Sequence, residues 1–136
     1  MAGPATKSLV QKLGIKPGFC ILVTGAPLDY PTLVGALPER VTIVTRPRKG
    51  LDMVHLFAAD AAALARALPA CRAALGPGGM LWVSWPKKAA KISTDLSDNA
   101  VRAMVLKTDL VDVKVCAIDA TWSGLKFVVR NAGRSA

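Results

Sequence analysis

Apolar positions in this chain fall into two patterns: short unbroken blocks, and stripes that recur every three or four residues. Phe19 to Val23 is a block of the kind buried on both faces of a parallel sheet, Met53 to Phe57 reads as a third, buried strand, and Val41 to Thr45 and Met80 to Ser84 read as the second and fourth strands. Leu9, Val10 and Leu13 mark one face of a short helix over Lys7 to Leu13, closed by Gly14. Asp29 is expected to cap a helix running to Leu37, with Pro31 tolerated in its first turn and Pro38 ending it. Asp60 opens a longer helix whose stripe is Leu64, Leu68, Cys71 and Leu75, and Pro69 should kink or split it. Ser97 caps a further helix in which Leu96 staples onto Val101, and Val101, Met104 and Val105 face the sheet. Two more strands, Val111 to Ile118 and Leu125 to Arg130, are joined by Asp119 to Gly124, and residues 131–136 read as a polar, flexible tail.

The stretch from Ala73 to Lys87 carries the most information, because it runs from a helix end through a turn into a buried strand. Pro77 cannot continue a helix, and Gly76, Gly78 and Gly79 are expected to supply the positive φ of a sharp reversal. Strands alternating with helices predict βαβ units, hence an α/β, Rossmann-like, mostly parallel sheet of about six strands with helices on both faces. The connection between the last two strands is too short for a crossover, so the last runs antiparallel to its predecessor.

At 136 residues the chain is expected to form one domain over 1–136. Its 52% hydrophobic and 20% charged residues suit a folded α/β protein and exclude a disordered one. The longest uncharged run, Ala73 to Pro86, is too short to cross a bilayer, and Met1 to Gly14 lacks a signal-peptide core, so a cytoplasmic protein without membrane partners is expected. Cys20, Cys71 and Cys116 are odd in number and widely spaced, and read as buried free thiols rather than a metal set. The net charge of +9 favours anionic partners. Its surplus lies in residues 41–91, which hold Arg46, Arg48, Lys49, Arg66, Arg72, Lys87, Lys88 and Lys91 against only Asp52 and Asp60.

The order of elements, with the Leu13 to Gly18 entry, the helix ending in Leu75-Gly76-Pro77-Gly78-Gly79 and the reversed last strand, resembles the class I S-adenosylmethionine-dependent methyltransferase fold. The combination of Lys12 to Gly18, Trp82 to Lys88 and Trp122 to Lys126 is similar to a small bacterial domain family without an assigned activity. The resemblance implies the strand order 2-1-3-4-6-5 with strand 6 antiparallel. It also implies a cofactor loop that this chain departs from. Where the methyltransferases carry an acidic residue and a GxGxG loop, Val23-Thr24-Gly25-Ala26-Pro27 stands, and Val44-Thr45-Arg46 replaces the acid that binds ribose hydroxyls. Ala58-Ala59-Asp60 replaces the family's Asn/Asp-Pro-Pro-aromatic motif, and nothing intervenes between the second strand and Met53 to supply the usual outer helix and strand.

Ligands of open α/β sheets bind beyond the carboxyl ends of the strands. There the sequence places Thr24 and Gly25, then Arg46, Arg48 and Lys49, then Asp60, then Trp85, Lys87, Lys88 and Lys91, and finally Thr121 and Trp122. Clustered cations with aromatics suit a nucleotide, a phosphorylated metabolite or nucleic acid. The same residues also admit a plainer reading, with lysines solvated in loops and Trp122 packed between the last two strands. Trp82 reads as core. His55, within a buried strand, reads as a core or half-buried histidine, and Asp95, Asp98, Asp109 and Asp112 read as caps and surface charges. No catalytic or metal-binding constellation is visible. The expectation is therefore a non-catalytic binding or interaction module for an anionic ligand, with no cofactor and S-adenosylmethionine bound weakly or not at all. The alternatives are a divergent S-adenosylmethionine-dependent methyltransferase and a scaffold acting through a homodimer or partner.

Overall fold

The computed structural model describes residues 8–129. Ser8 opens the first helix with a capping box: its Oγ accepts from Gln11 N at 3.1 Å, while Gln11 Oε1 accepts from Ser8 N at 3.0 Å. Helix α1 (Leu9–Leu13) leads to β1 (Cys20–Thr24), followed by α2 (Tyr30–Val34), β2 (Thr42–Val44) and β3 (Leu51–Phe57). Then come α3 (Ala61–Ala74), β4 (Leu75–Pro86), a 3-10 turn over Lys88–Ala90, α4 (Asp98–Val105), β5 (Leu110–Ala117) and β6 (Trp122–Val129). The six strands are ordered β2-β1-β3-β4-β6-β5. Only β6 runs antiparallel to its neighbours, β4 on one side and β5 on the other. The predicted α/β, Rossmann-like architecture is thus the one observed. Lys7, Arg130 and the tail over 131–136 lie outside the described residues.

Strand alternation divides the core between two faces. On one, Val54, Leu56, Leu81, Val83, Trp85, Leu125 and Phe127 meet the apolar sides of α3 and α4, namely Leu64, Leu68, Cys71, Val101 and Val105. On the other, Ile21, Met53, Phe57 and Trp82 meet Leu13 of α1 and Tyr30 and Val34 of α2. Trp82 and Phe127 are fully buried, and Trp82 Nε1 donates to Leu13 O at 3.0 Å, anchoring the end of α1 to the middle of β4.

Three local readings change. Helix α2 ends at Val34, where Gly35 leaves the helical region with φ +78°, and the exposed Asp29 makes no side-chain cap. Pro69 does not split α3, which is continuous from Ala61 to Ala74. Ala65, whose carbonyl loses its partner at Pro69, is exposed to solvent, while Leu64, Leu68 and Cys71 hold the helix to the sheet. Finally, Gly76, Gly78 and Gly79 do not have positive φ. They belong to β4, which begins directly after α3 and bulges against β3: Leu75 pairs with Leu51 but Met80 pairs with Met53.

Glycine is required there by proximity. A Cβ on Gly79 would stand 2.9 Å from Leu51 O and 3.1 Å from Gly76 O, and one on Gly76 would stand 3.3 Å from the Gly50 backbone, whereas Gly78 has nothing within 4 Å. Gly79→Ala is therefore expected to destabilise the fold by about 1–3 kcal/mol through forced separation of β3 and β4. Gly78→Ala should be neutral or stabilising by about 0.5 kcal/mol. Urea denaturation of the two variants checks this, and equal losses at both positions would contradict the bulge packing.

Candidate functional site

Parallel pairing sets the ends of the central strands side by side. Thr24 closes β1 opposite Leu56, Phe57 closes β3 opposite Ser84, and Pro86 at the end of β4 pairs with Trp122 at the start of β6. Lys87 N donates to Thr121 O at 2.8 Å, and Asp119 Oδ1 accepts from Thr121 N and Trp122 N at 2.8 Å each, so the β5–β6 turn is tied to this edge. Beyond β1 the chain turns at Gly25, with φ +72°, where its Cα comes against the end of β3 and a Cβ would collide with Phe57 O. Tyr30 N then donates to Pro27 O at 3.0 Å, and this tight turn sends the Tyr30 side chain inward beneath the sheet edge.

There it meets a network that the sequence did not reveal. His55 is wholly buried, with Nδ1 sharing a hydrogen bond with Tyr30 Oη at 2.9 Å and Nε2 sharing one with Ser84 Oγ at 2.8 Å. Its ring also stacks on Phe57 at 4.3 Å between centroids, and Phe57 in turn takes Trp122 edge-on at 5.0 Å. A neutral imidazole has one donor and one acceptor nitrogen, which two hydroxyls satisfy completely. Burial pushes the imidazole pKa down to about 3 and raises that of the Tyr30 phenol, so both groups are neutral near pH 7. Tyr, His and Ser in hydrogen-bonded sequence can resemble a catalytic relay. Here the serine is buried too, and the three act as a polar clamp between α2, β3 and β4.

The predicted ligand residues are divided among separate places. Trp85, Lys87 and Lys88 do come together, lining an open cavity of about 410 Å³ with Pro86, Leu96, Ser97, Asp98, Val115 and Ser123. Trp85 is largely buried against the α3/α4 core and offers little ring surface, whereas half-exposed Trp122 belongs to the opposite face of the sheet. Thr24 and Gly25 sit at the end of β1, half-exposed and exposed respectively. Arg46 lies just past β2 in a shallow depression of about 410 Å³ with Ile43, Val44, Thr45, Pro47 and Arg48. The chain then runs back toward the start of β3. Arg48 and Lys49 line a space of about 220 Å³ with Ala70, Ala73 and Ala74 of the last turn of α3, which is the amino end of the sheet.

The carboxylates are mostly committed elsewhere. Asp60 and Asp95 accept from Ala63 N at 2.9 Å and Ala61 N at 2.8 Å, capping α3, while Asp109 pairs with Arg72 at 2.6 Å and Asp112 with Arg102 at 3.0 Å. The described residues contain no cluster of His, Cys, Asp or Glu that could hold a metal ion. Among the cysteines, Cys71 is buried, and Cys20 and Cys116 are partly exposed rather than buried as expected; all three are free thiols.

No protein-family model and no curated protein sequence matches this chain. Solved structures do. A S-adenosylmethionine-dependent methyltransferase from Aquifex aeolicus superposes with a TM-score of 0.65 at 14% identity, covering 89% of this chain and 87% of that one. A possible exported protein of Bordetella parapertussis gives 0.60 at 12% identity over 88% of this chain, which spans 64% of that protein's length. The Burkholderia thailandensis 1,6-didemethyltoxoflavin-N1-methyltransferase, solved with its substrate and S-adenosylhomocysteine, gives 0.55 at 13% identity over 89% of this chain and 74% of that one. The methyltransferase-like fold is therefore shown.

The pH response of the clamp follows from the low imidazole pKa. Below pH 6.5 an unfolded chain protonates its histidine, whereas the folded protein does not until about pH 3, so stability is complete above pH 6.5 and declines on acidification toward 3. Between pH 6.5 and about 5, above the usual carboxylate range, the urea midpoint of the wild type should fall while that of His55→Leu stays level. Parallel curves for the two proteins would show that His55 is protonated in the fold.

Proposed function

We propose that this domain is a divergent S-adenosylmethionine-dependent methyltransferase whose ligand edge is formed by the loops beyond β1, β3 and β4. The observation that carries the reading is the strand order with its reversed β6, together with the match to 87% of the Aquifex enzyme's length. Fold likeness makes S-adenosylmethionine a plausible ligand, against the expectation of no cofactor, and no step of a reaction is drawn from it. When bound, that cofactor supplies an electrophilic methyl group.

The residues of this chain fit the cofactor in part. Gly25 retains the left-handed turn at the end of β1, and Thr24 and the half-exposed Trp122 flank the same edge. The ribose acid has no counterpart at the end of β2, where Arg46 stands, and the space beside Gly25 is taken by the Phe57 carbonyl. With so much of the usual cradle replaced, weak binding is expected.

A second reading, a non-catalytic module for an anionic ligand such as a nucleotide or phosphorylated metabolite, is favoured by Arg46 in place of that acid and by Lys87 and Lys88 around their cavity. Arg48 borders both the Arg46 depression and the space at the end of α3, so it can contribute directly, whereas Lys49 would contribute through the field at the amino end and Trp85 by shaping the cavity wall. No helix among the described residues is long and apolar enough to cross a membrane. Free cysteines accord with a reducing, cytoplasmic setting.

Calorimetric titration with S-adenosylhomocysteine should give a dissociation constant of about 0.1 mM, or about −5.5 kcal/mol. No heat of binding at millimolar ligand would sink the methyltransferase reading. The anionic-module reading instead expects ATP to bind, with affinity that falls in a Lys87→Ala/Lys88→Ala variant; unchanged ATP affinity would remove it.

A further inference from the structure

We propose that Lys16, Lys114 and Lys126 form a separate site for the phosphodiester backbone of single-stranded nucleic acid, on the α1 side of β6 and β5. Lys114 and Lys126 are direct cross-strand partners, so their side chains leave the same face about 5 Å apart at Cβ. The face is fixed by register, since Lys126 also pairs with Trp82, whose ring belongs to the α1/α2 core. Lys126 Nζ lies 3.9 Å from where a Cβ on Gly14 would stand, which brings it beside the loop that carries Lys16.

Like charges directly opposite on paired strands are destabilising, yet no acidic side chain among the described residues pairs with these. All nine acidic residues of the sequence lie in the described part of the chain. None makes an ion pair with Lys16, Lys114 or Lys126: among the described residues Glu39 pairs with Arg40, Asp109 with Arg72 and Asp112 with Arg102. The crowding registers on Lys126, whose pKa is lowered by partial burial and by the charges of Lys114 and Lys16. Lys114 and Lys126 emerge beside one another from two paired strands. Val128 and Val111 pair across the strands beside them, half-exposed, and Cys116 pairs with Gly124. Trp122 stands on the same side of β6, toward its start, where it can border a strand laid along the lysines. A cationic strip along two paired strands, with an aromatic at one end, is suited to a backbone of repeating phosphates.

The test is fluorescence anisotropy of a labelled single-stranded oligonucleotide across a salt titration. The Lys16→Ala/Lys114→Ala/Lys126→Met protein should bind at least tenfold more weakly at low salt. Its slope of log affinity against log salt should be shallower by about 2, the value for three phosphate contacts at about 0.7 each. Lys87→Ala/Lys88→Ala should change the slope by less, and Lys126→Met alone should melt no lower than the wild type because it removes a repulsion. An unchanged slope in the triple variant, or an equal change in the Lys87/Lys88 variant, would overturn the site. Binding of inorganic polyphosphate without binding of the oligonucleotide would overturn the assignment to nucleic acid.

Discussion

A single buried imidazole sets much of the architecture around the candidate edge. His55 points from the middle of the sheet into an apolar layer, where it can remain only if both ring nitrogens are hydrogen-bonded and the ring is neutral. Ser84 meets one need from the neighbouring strand. Tyr30 meets the other, and it reaches that position only because the chain turns sharply at Gly25 and again at Pro27. The short α2 and the contact of Gly25 with the end of β3 thus follow from the same requirement. The carboxyl edge at this point is consequently floored by protein, with Phe57 and Trp122 packed beside the clamp.

Charge is distributed by topology as much as by composition. The loop from β2 to β3 begins at the carboxyl edge and ends at the amino edge, so Arg46 and Lys49, three positions apart, serve different ends of the sheet. Lys87 and Lys88 sit near the Ser97 cap of α4, on the other side of the sheet from Trp122. Lys114 and Lys126 lie on the α1 side of β5 and β6. One net charge thereby resolves into distinct cationic surfaces.

The fold was legible because its signals are local and mutually consistent. Unbroken apolar blocks such as Ile21 to Val23 and Leu81 to Val83 belong to strands covered on both faces, Asp60 and Ser97 do cap their helices, and the short final connection does reverse β6. The errors lie where tertiary contact decides. Gly76 and Gly79 look like turn residues in sequence but answer to the Gly50 and Leu51 backbone, which approaches from a distant part of the chain. Pro69 survives within a helix because the packing of its neighbours outweighs the lost hydrogen bond. At the site, strand ends could be located, but not the face of the sheet on which each side chain emerges. A bulge in β5 at Val113 puts Asp112 opposite Phe127 on one face and Lys114 opposite Lys126 on the other, and simple alternation does not foresee that. Tyr30 and Ser84 gave no signal of their own; a lone histidine in an apolar strand was the only hint that two hydroxyls had to be found nearby.

The central claim, that a small-molecule ligand occupies the carboxyl edge above this clamp, is tested most directly by amide chemical shifts recorded while S-adenosylhomocysteine is added. The account predicts perturbations confined to Thr24, Gly25, Ala58 to Asp60 and the 119–122 turn, with His55 remaining neutral and the Lys114–Lys126 strip silent. Perturbations centred instead between α3 and α4, around Leu68 and Met104, or none at saturating ligand, would contradict it.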